Sequence, residues 1–380
     1  MVVSATDALS LDDVDKIYRP HRRAPVHAVK ALTMNVLPGE TVALLGSSGC
    51  GKTSTLRMIA GFEAVTHGII AIKGRSIHQL PPAKRNVAMA FEGYSLYPPL
   101  TVRDNIGFAL KSARLPKSEE SKRVQNIAEL LEITDILDRY PSSISGGQQQ
   151  RASLARALVR QAELYLLDEP MGQLEPQLRA ILRGRLKHYL RERGMTSVLV
   201  THDQTEANAL ADRIAVMEGG VLQQIATPRE LKDRPANLFV GTFIGEPPMN
   251  VFATRPEMSN GRVRLLIAGD EGLAFDYAEA EVGAAVRKAL ASRSSVMLGI
   301  RPHAIRLGQP RLKAKVLSNQ WLGDQSHIAA AIAGQTIVIV AHQRIDVRVG
   351  EEIPFDVAGT DLHLFAPDTG SIIAHGGVPI

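Results

Sequence analysis

The sequence predicts an α/β fold with a phosphate-binding loop and a helical insertion, followed by a small β-rich domain of barrel type. Three observations carry this reading. The apolar runs at 41–45 (TVALL), 164–167 (LYLL) and 197–200 (SVLV) are near-continuous and separated by helix-like stretches, as expected of parallel strands buried on both faces. A glycine-rich loop, Gly46 to Thr53, follows the first run directly. Beyond residue 235 the texture changes to short β-rich runs punctuated by turn residues.

A chain of 380 residues exceeds one average domain and can bury a sizeable core. With 45% hydrophobic and 22% charged residues, it lies outside the disordered, collagen-like and disulfide-stapled classes. The single cysteine, Cys50, gives no support for an oxidising compartment. The first residues lack a basic segment followed by an apolar one, and no run approaches the roughly 18 apolar residues of a membrane helix. A net charge of +5 could suggest nucleic acid, but Lys and Arg are scattered and aromatics make up only 4%; a solvated, mildly basic surface is expected instead.

Between 101 and 161 strands are lacking, and 119–133 places Val124, Ile127, Leu130 and Leu131 at helical spacing. A helical subdomain at about 95–161 follows from this. Pro235 and the stretch Gly245-Glu246-Pro247-Pro248 read as a boundary, dividing the chain into domains at 1–235 and 236–380. The second domain holds β-rich runs at 262–267, 296–300, 336–340, 353–357 and 362–365, and a helix is expected at 278–291.

The loop Gly46-Ser47-Ser48-Gly49-Cys50-Gly51-Lys52-Thr53 fits G-x-x-x-x-G-K-[ST] between a strand and a helix. Its glycines let backbone N–H groups converge on phosphate oxygens, and the helix that continues through Ser54 adds unpaired N–H groups and a partial positive charge. Lys52 is expected to reach the β- and γ-phosphates and the Thr53 hydroxyl to ligate Mg²⁺. The run at 164–167 ends in Asp168 and Glu169: the first suits a metal's water shell, the second can orient or deprotonate an attacking water. A second anion site is expected at Ser145-Gly146-Gly147-Gln148, where Ser145 is placed as N-cap of the helix that follows.

With this SGGQ signature the sequence resembles the ATP-binding cassette ATPases. The resemblance implies that the signature of one subunit closes over ATP held by the phosphate loop of another, whether a second copy or a paralogue. It further implies that Tyr18 stacks on adenine, that Leu174 and Glu175 lie in the loop after the catalytic carboxylate Glu169, and that His202 contacts the γ-phosphate. The segments at 94–102 (YSLYPPLTV) and 239–250 (FVGTFIGEPPMN) are similar to the sugar-importer branch, typified by maltose and glycerol-3-phosphate importer ATPases. That likeness implies a C-terminal regulatory domain of oligonucleotide/oligosaccharide-binding barrel type, to which the strands around Leu298–His303 and Leu362–Phe365 correspond. It also implies two membrane-spanning permease subunits, an extracytoplasmic solute-binding protein, a place on the cytoplasmic face of the membrane, and no nucleic acid. Soluble cassette ATPases acting on DNA or ribosomes share these motifs; against that alternative stand the importer-like segment and the β-rich domain.

Several residues depart from the family pattern or stand apart from it. Glu175 stands where aspartate is usual, which is expected to alter subunit communication. Cys50 is a small residue beside the loop amides, but a thiol at a helix N-terminus can be activated, so its alkylation is expected to block ATP binding. Trp321 reads as a core or hinge aromatic. Glu92 occupies the place of a glutamine that links the nucleotide to the membrane subunit; a carboxylate can ligate Mg²⁺, yet it adds negative charge near the γ-phosphate. Glu92 is then either a tolerated isostere or the cause of slower turnover. In the second case Glu92→Gln raises the ATPase rate of the assembled transporter, and an unchanged rate removes that reading.

Overall fold

The structure, a computed structural model, describes residues 7–19, 21, 24–91, 93, 95–270 and 272–376. The chain forms two compact units, Met1–Pro228 and Arg229–Ile380.

The first unit is built on a six-stranded sheet in the order Val221–Ala226, Arg213–Glu218, Thr41–Gly46, Ser197–Val200, Leu164–Asp168, Val87–Ala90. All pairings are parallel except that of the first two strands. Strands inside a parallel sheet are covered on both faces, and every residue of Thr41–Gly46, Leu164–Asp168 and Ser197–Val200 is buried, which explains their unbroken apolar pattern. A four-stranded antiparallel sheet, led by Leu9–Tyr18 and Val26–Val36, supplies Leu9, Leu11, Leu32 and Ile70 to the same core.

The helical subdomain contains Val102–Phe108, Lys117–Leu130 and Gly146–Leu158. The second of these starts earlier than the apolar spacing alone suggests: Pro116 stands at its N-cap, and Glu119 and Glu120 favour the first turn through the helix dipole. It stops before Ile133 because Glu132 adopts a left-handed backbone, φ 53°.

Arg85 closes the end of the helix Lys52–Ala60. It is buried at 2% exposure, and its guanidinium donates to Met58 O at 2.6 Å, Ile59 O at 3.0 Å, Leu80 O at 2.7 Å and His78 O at 2.9 Å. Two of these carbonyls belong to the helix's last turn, where a cation also meets the negative end of the dipole.

In the second unit, a six-stranded antiparallel sheet runs Ala274–Ala278, Arg262–Ile267, Asn250–Ser259, Val296–Ile300, Leu362–Phe365, Ile372–His375. A four-stranded sheet runs Gln335–Ala341, Ser326–Ile332, Ile305–Trp321, Glu352–Val357. Phe252, Phe275, Tyr277, Leu298, Ile339, Phe355 and Leu364 form one core between them. The helix expected at 278–291 is shorter: Ala278 ends a strand, Glu279–Glu281 is a single tight turn, and the helix is Ala284–Leu290 with Gly283 as N-cap. Trp321 is not a core residue, being 43% exposed at the end of its strand. Among the described residues no helix is long and apolar enough to cross a membrane.

Replacing Arg85 by Met strands four backbone acceptors in the interior. Arg85→Met is expected to lower unfolding stability by about 3 kcal/mol, read as a shift in the urea midpoint at constant slope.

Candidate nucleotide site

In an open parallel sheet the ligand crevice lies outside the carboxyl ends of the strands. Three adjacent strands here end in Gly46, Val200 and Asp168, with Asp168 paired in register to Val200. Sheet order thus brings the phosphate loop, the acidic pair and the segment carrying His202 to one edge, although the loop lies more than a hundred residues from the other two in the chain.

Gly46 ends its strand where a Cβ would lie 2.2 Å from Met217 O, so only glycine allows the chain to turn there. At Gly51, φ is 102° and a Cβ would lie 2.4 Å from Ala28 O, which lets the strand Val26–Val36 press on the start of the helix. Ser47, Ser48 and Gly49 are exposed, and Thr53 and Ser54 are half-buried. Lys52 is folded back over the loop, its ammonium donating to Gly46 O at 2.8 Å and Ser47 O at 3.0 Å. These acceptors are neutral, and a phosphate offers the ammonium stronger, charged ones. Cys50 is 2% exposed, with Sγ 3.7 Å from Lys52 Nζ. Alkylation therefore requires the loop to open, a barrier the sequence reading did not include.

Tyr18 ends the strand Leu9–Tyr18, and its hydroxyl donates to Ser54 Oγ at 3.1 Å, which ties the aromatic ring to the first turn after the loop. Lys16 Nζ lies 4.6 Å from the ring centre, a cation over an aromatic face.

Asp168 is the buried last residue of its strand. Glu169 adopts φ 46°, a conformation costly for a side chain with a Cβ and held only where the surroundings over-determine it. Its N–H donates to Val200 O at 2.9 Å, and its carbonyl accepts from Gln150 Nε2 at 2.7 Å. The Glu169 carboxylate, Oε1, is 2.8 Å from Nδ1 of His202, an exposed ring. With the carboxylate ionised, Nδ1 carries the proton of this bond and Nε2 is left for another partner.

Residues absent from the motif reading hold this arrangement. Gln150 also accepts from Gln173 N–H through Oε1 at 3.0 Å, so one amide grips both ends of the loop after Glu169. Arg179 donates to Gly172 O at 3.3 Å and Leu174 O at 3.0 Å, and to the Asp203 carboxylate at 3.2 Å beside His202. A signal for Gln150 existed: it is a polar residue in the buried stripe of a helix that also carries Leu154, Ala157 and Leu158. Glu175 is exposed at the N-cap of the helix Pro176–Glu192 and makes no capping bond.

Ser145 and Gln148 form a reciprocal capping box, Gln148 N to Ser145 Oγ at 3.3 Å and Ser145 N to Gln148 Oε1 at 2.9 Å. A Cβ on Gly147 would lie 3.1 Å from Gln173 O, while Gly146 and Gly147 are half-buried. Within this chain the hydrogen bonds of Ser145 and Gln148 are to each other, not to the loop Gly46 to Thr53. Glu92 lies outside the described residues.

Glu206 lies in the first turn of the helix Gln204–Leu210 that follows His202. It is 2% exposed; one carboxyl oxygen accepts from the Thr201 hydroxyl at 2.5 Å and the other is buried without a hydrogen-bond partner among the described residues. Burial, aided by the nearby charges of Asp203 and Glu169, pushes this carboxyl up to about 7.

Comparison with known proteins agrees with this geometry. The ABC transporter family model matches residues 29–172 and the TOBE domain model residues 298–365. The sn-glycerol-3-phosphate import ATP-binding protein of Cupriavidus necator is 38% identical over 369 residues, 96% of this chain and 99% of that protein. The chain belongs to the ATP-binding proteins of ABC transporters. The xylose/arabinose import ATP-binding protein of Haloferax volcanii is likewise 38% identical, over 98% of this chain and 96% of its own length. Among solved structures, a dimeric ATP-binding cassette in a post-hydrolysis state with ADP and Pi matches 58% of this chain and 98% of its own, at 28% identity and a TM-score of 0.54. The fold is accordingly that of a P-loop cassette with a nucleotide site, followed by a β-rich domain of barrel type.

Two outcomes follow from the geometry around Glu169. Gln150→Leu removes the amide clamp without touching the phosphate loop. It is expected to lower kcat roughly 10- to 100-fold while nucleotide affinity stays within about twofold, as read by steady-state kinetics and nucleotide titration. For Glu206, the folded-state value of about 7 lies above the ordinary 4.5, so the protonated acid favours the native state. That contribution is complete below about pH 4.5 and is lost as pH rises towards 7. Between about pH 5 and pH 8 the wild type should lose roughly 2 to 3 kcal/mol from this group, and Glu206→Gln should show a flatter profile in denaturant titrations.

Proposed function

We propose that this protein is the ATP-hydrolysing subunit of an importer that takes up a carbohydrate or related solute, such as a sugar, polyol or glycerol phosphate, through separate membrane subunits. The observation that carries the chemistry is the Glu169–His202 pair, 2.8 Å apart at the strand ends beside the phosphate loop. The solute class is supported by the two relatives, one named for sn-glycerol-3-phosphate import and the other for xylose/arabinose import.

In this reading Lys52 leaves the carbonyls of Gly46 and Ser47 for the phosphates of ATP, which the loop N–H groups cradle, and the Tyr18 ring supports adenine. Glu169 accepts the proton of the attacking water. His202, oriented through Nδ1, presents Nε2 to the γ-phosphate. A hydroxyl and a buried carboxylate, Thr53 and Asp168, suit Mg²⁺, which keeps most of its water and takes further oxygens from phosphate. Bound there, the ion would offset charge on the β- and γ-phosphates.

The first turn of the helix Gly146–Leu158 is the element that would close over ATP on a second cassette, a copy or a paralogue. A groove of about 480 Å³ lined by Met89, Phe91, Tyr97, Phe108, Lys111 and Arg156 suits a permease helix. Tyr97 and Phe108 are 44% and 42% exposed with ring centres 4.9 Å apart, an apolar patch rimmed by cations. Two permeases and an extracytoplasmic solute-binding protein would complete the importer, with this subunit on the cytoplasmic face of the membrane.

Glu169→Gln is expected to lower ATP hydrolysis at least about 100-fold and to trap an ATP-bound dimer visible by gel filtration. Hydrolysis at the wild-type rate would remove Glu169 as the base. Reconstitution with the permeases tests the transport reading: solute-dependent stimulation of the ATPase supports it, and co-purification with ribosomes or DNA in place of permeases overturns it.

A further inference from the structure

The β-rich second unit contains a cavity of about 390 Å³ lined mostly by residues with charged or polar head groups. Apart from imidazoles no aromatic ring faces it, and its only aliphatic side chain is Ala304, so it suits neither an apolar ligand nor a sugar stacked on a ring.

Charge decides what it suits. Lys232, Arg301 and Arg306 line it together with the acids Asp233 and Asp361. Asp361 is 3.8 Å from Arg306, and Asp233 is 3.4 Å from Arg229, which lies outside the lining. Three lining cations thus face two acids, one of which, Asp233, is already paired to Arg229 from outside the lining. Among the described residues Lys232 and Arg301 have no acid within ion-pair distance.

Arg301 is 5% exposed and cannot swing away. It donates to Gly241 O at 2.7 Å, to Ile244 O and to Lys232 O at 2.9 Å, all neutral carbonyls, and its Nε–H is buried with no partner among the described residues. A fixed guanidinium with no acid in ion-pair contact, and only the more distant charge of Asp233 near it, is a draw for an anion.

The fourth wall supplies donors. His363 and His375, each 8% exposed, meet Nδ1 to Nδ1 at 2.9 Å. Burial holds both imidazoles well below their ordinary range, so the pair is neutral at pH 7. One ring then donates its Nδ1–H to the other, and the accepting ring carries its proton on Nε2. Neither Nε2 bonds to protein among the described residues, and both rings line the cavity.

We propose that this cavity is a binding site for a phosphoryl dianion, held by Arg301, Lys232 and Arg306 with a hydrogen bond from the His363–His375 pair. Two uncompensated cations balance one dianion. The volume is several times that of a bare phosphate, leaving room for a short organic substituent, so both inorganic phosphate and a small phosphate monoester share the required chemistry.

The test uses the full chain with its nucleotide site first saturated by a non-hydrolysable ATP analogue, so that the phosphate loop cannot contribute. Inorganic phosphate and glycerol phosphate are titrated separately by isothermal calorimetry into the wild type and into the double variant K232A/R306A. Both substituted side chains are exposed, and an unchanged urea midpoint verifies the fold. The wild type should bind one equivalent, and the double variant should bind at least about tenfold more weakly. Tighter binding of the monoester assigns the surplus volume to its organic part, and equal affinities assign the site to the phosphoryl group alone. Equal affinity in variant and wild type, or no binding of either ligand at millimolar concentration, overturns the proposal.

Discussion

Where the central strand ends at Gly46, the carbonyl of Met217 occupies the place a side chain would need. The chain must turn at that point, and the residues that follow must wrap an open space at the edge of the sheet. The rest of the first unit accommodates this turn. Gly51 admits the backbone of Ala28 against the start of the helix, Arg85 closes that helix at its far end, and Tyr18 is bonded to Ser54 in its first turn. A loop so constrained offers its amides to an anion with little reorganisation, the condition for binding phosphate through backbone groups.

The geometry at the edge of the sheet depends on a second constraint, the left-handed backbone of Glu169. Such a conformation persists when neighbours hold it, and here the neighbours are polar: Gln150 from the signature helix, Val200 from the next strand and Arg179 from the following helix. One amide and one guanidinium thereby connect the signature helix, the carboxylate loop and the segment of His202. A shift in any one of these elements strains bonds to the other two, a physical route by which, in the proposed function, closure on a second cassette would reach the Glu169 carboxylate.

The second unit is organised differently. Its two antiparallel sheets share one apolar core, and the polar groups of Arg301, His363 and His375 are drawn inside against carbonyls and each other, with no acid in ion-pair contact with the arginine among the described residues. A buried guanidinium without an acid in contact is costly unless something else meets it, which is why the cavity beside Arg301 is the feature of this unit that its packing alone does not account for.

Much of this was legible in one dimension. Unbroken apolar runs announced parallel strands because burial on both faces leaves no polar side, and the loop Gly46 to Thr53, the pair Asp168–Glu169 and the cap Ser145 were readable because each depends on neighbours within a few residues. The strand Leu9–Tyr18 was not legible because acidic residues interrupt its apolar positions and one of its pairing partners, His67–Ile72, lies beyond the phosphate loop and its helix. Arg179 and Arg85 carry no local pattern, and Gln150 only its place in a buried helical stripe; what each does is set by carbonyls and carboxylates that the fold brings within hydrogen-bond reach. The sequence by itself determined which chemistry the chain can carry, since that resides in residue types at short spacing. The tertiary structure decided which groups are held rigid, buried or left without a counter-charge, since those properties come from contacts across the fold.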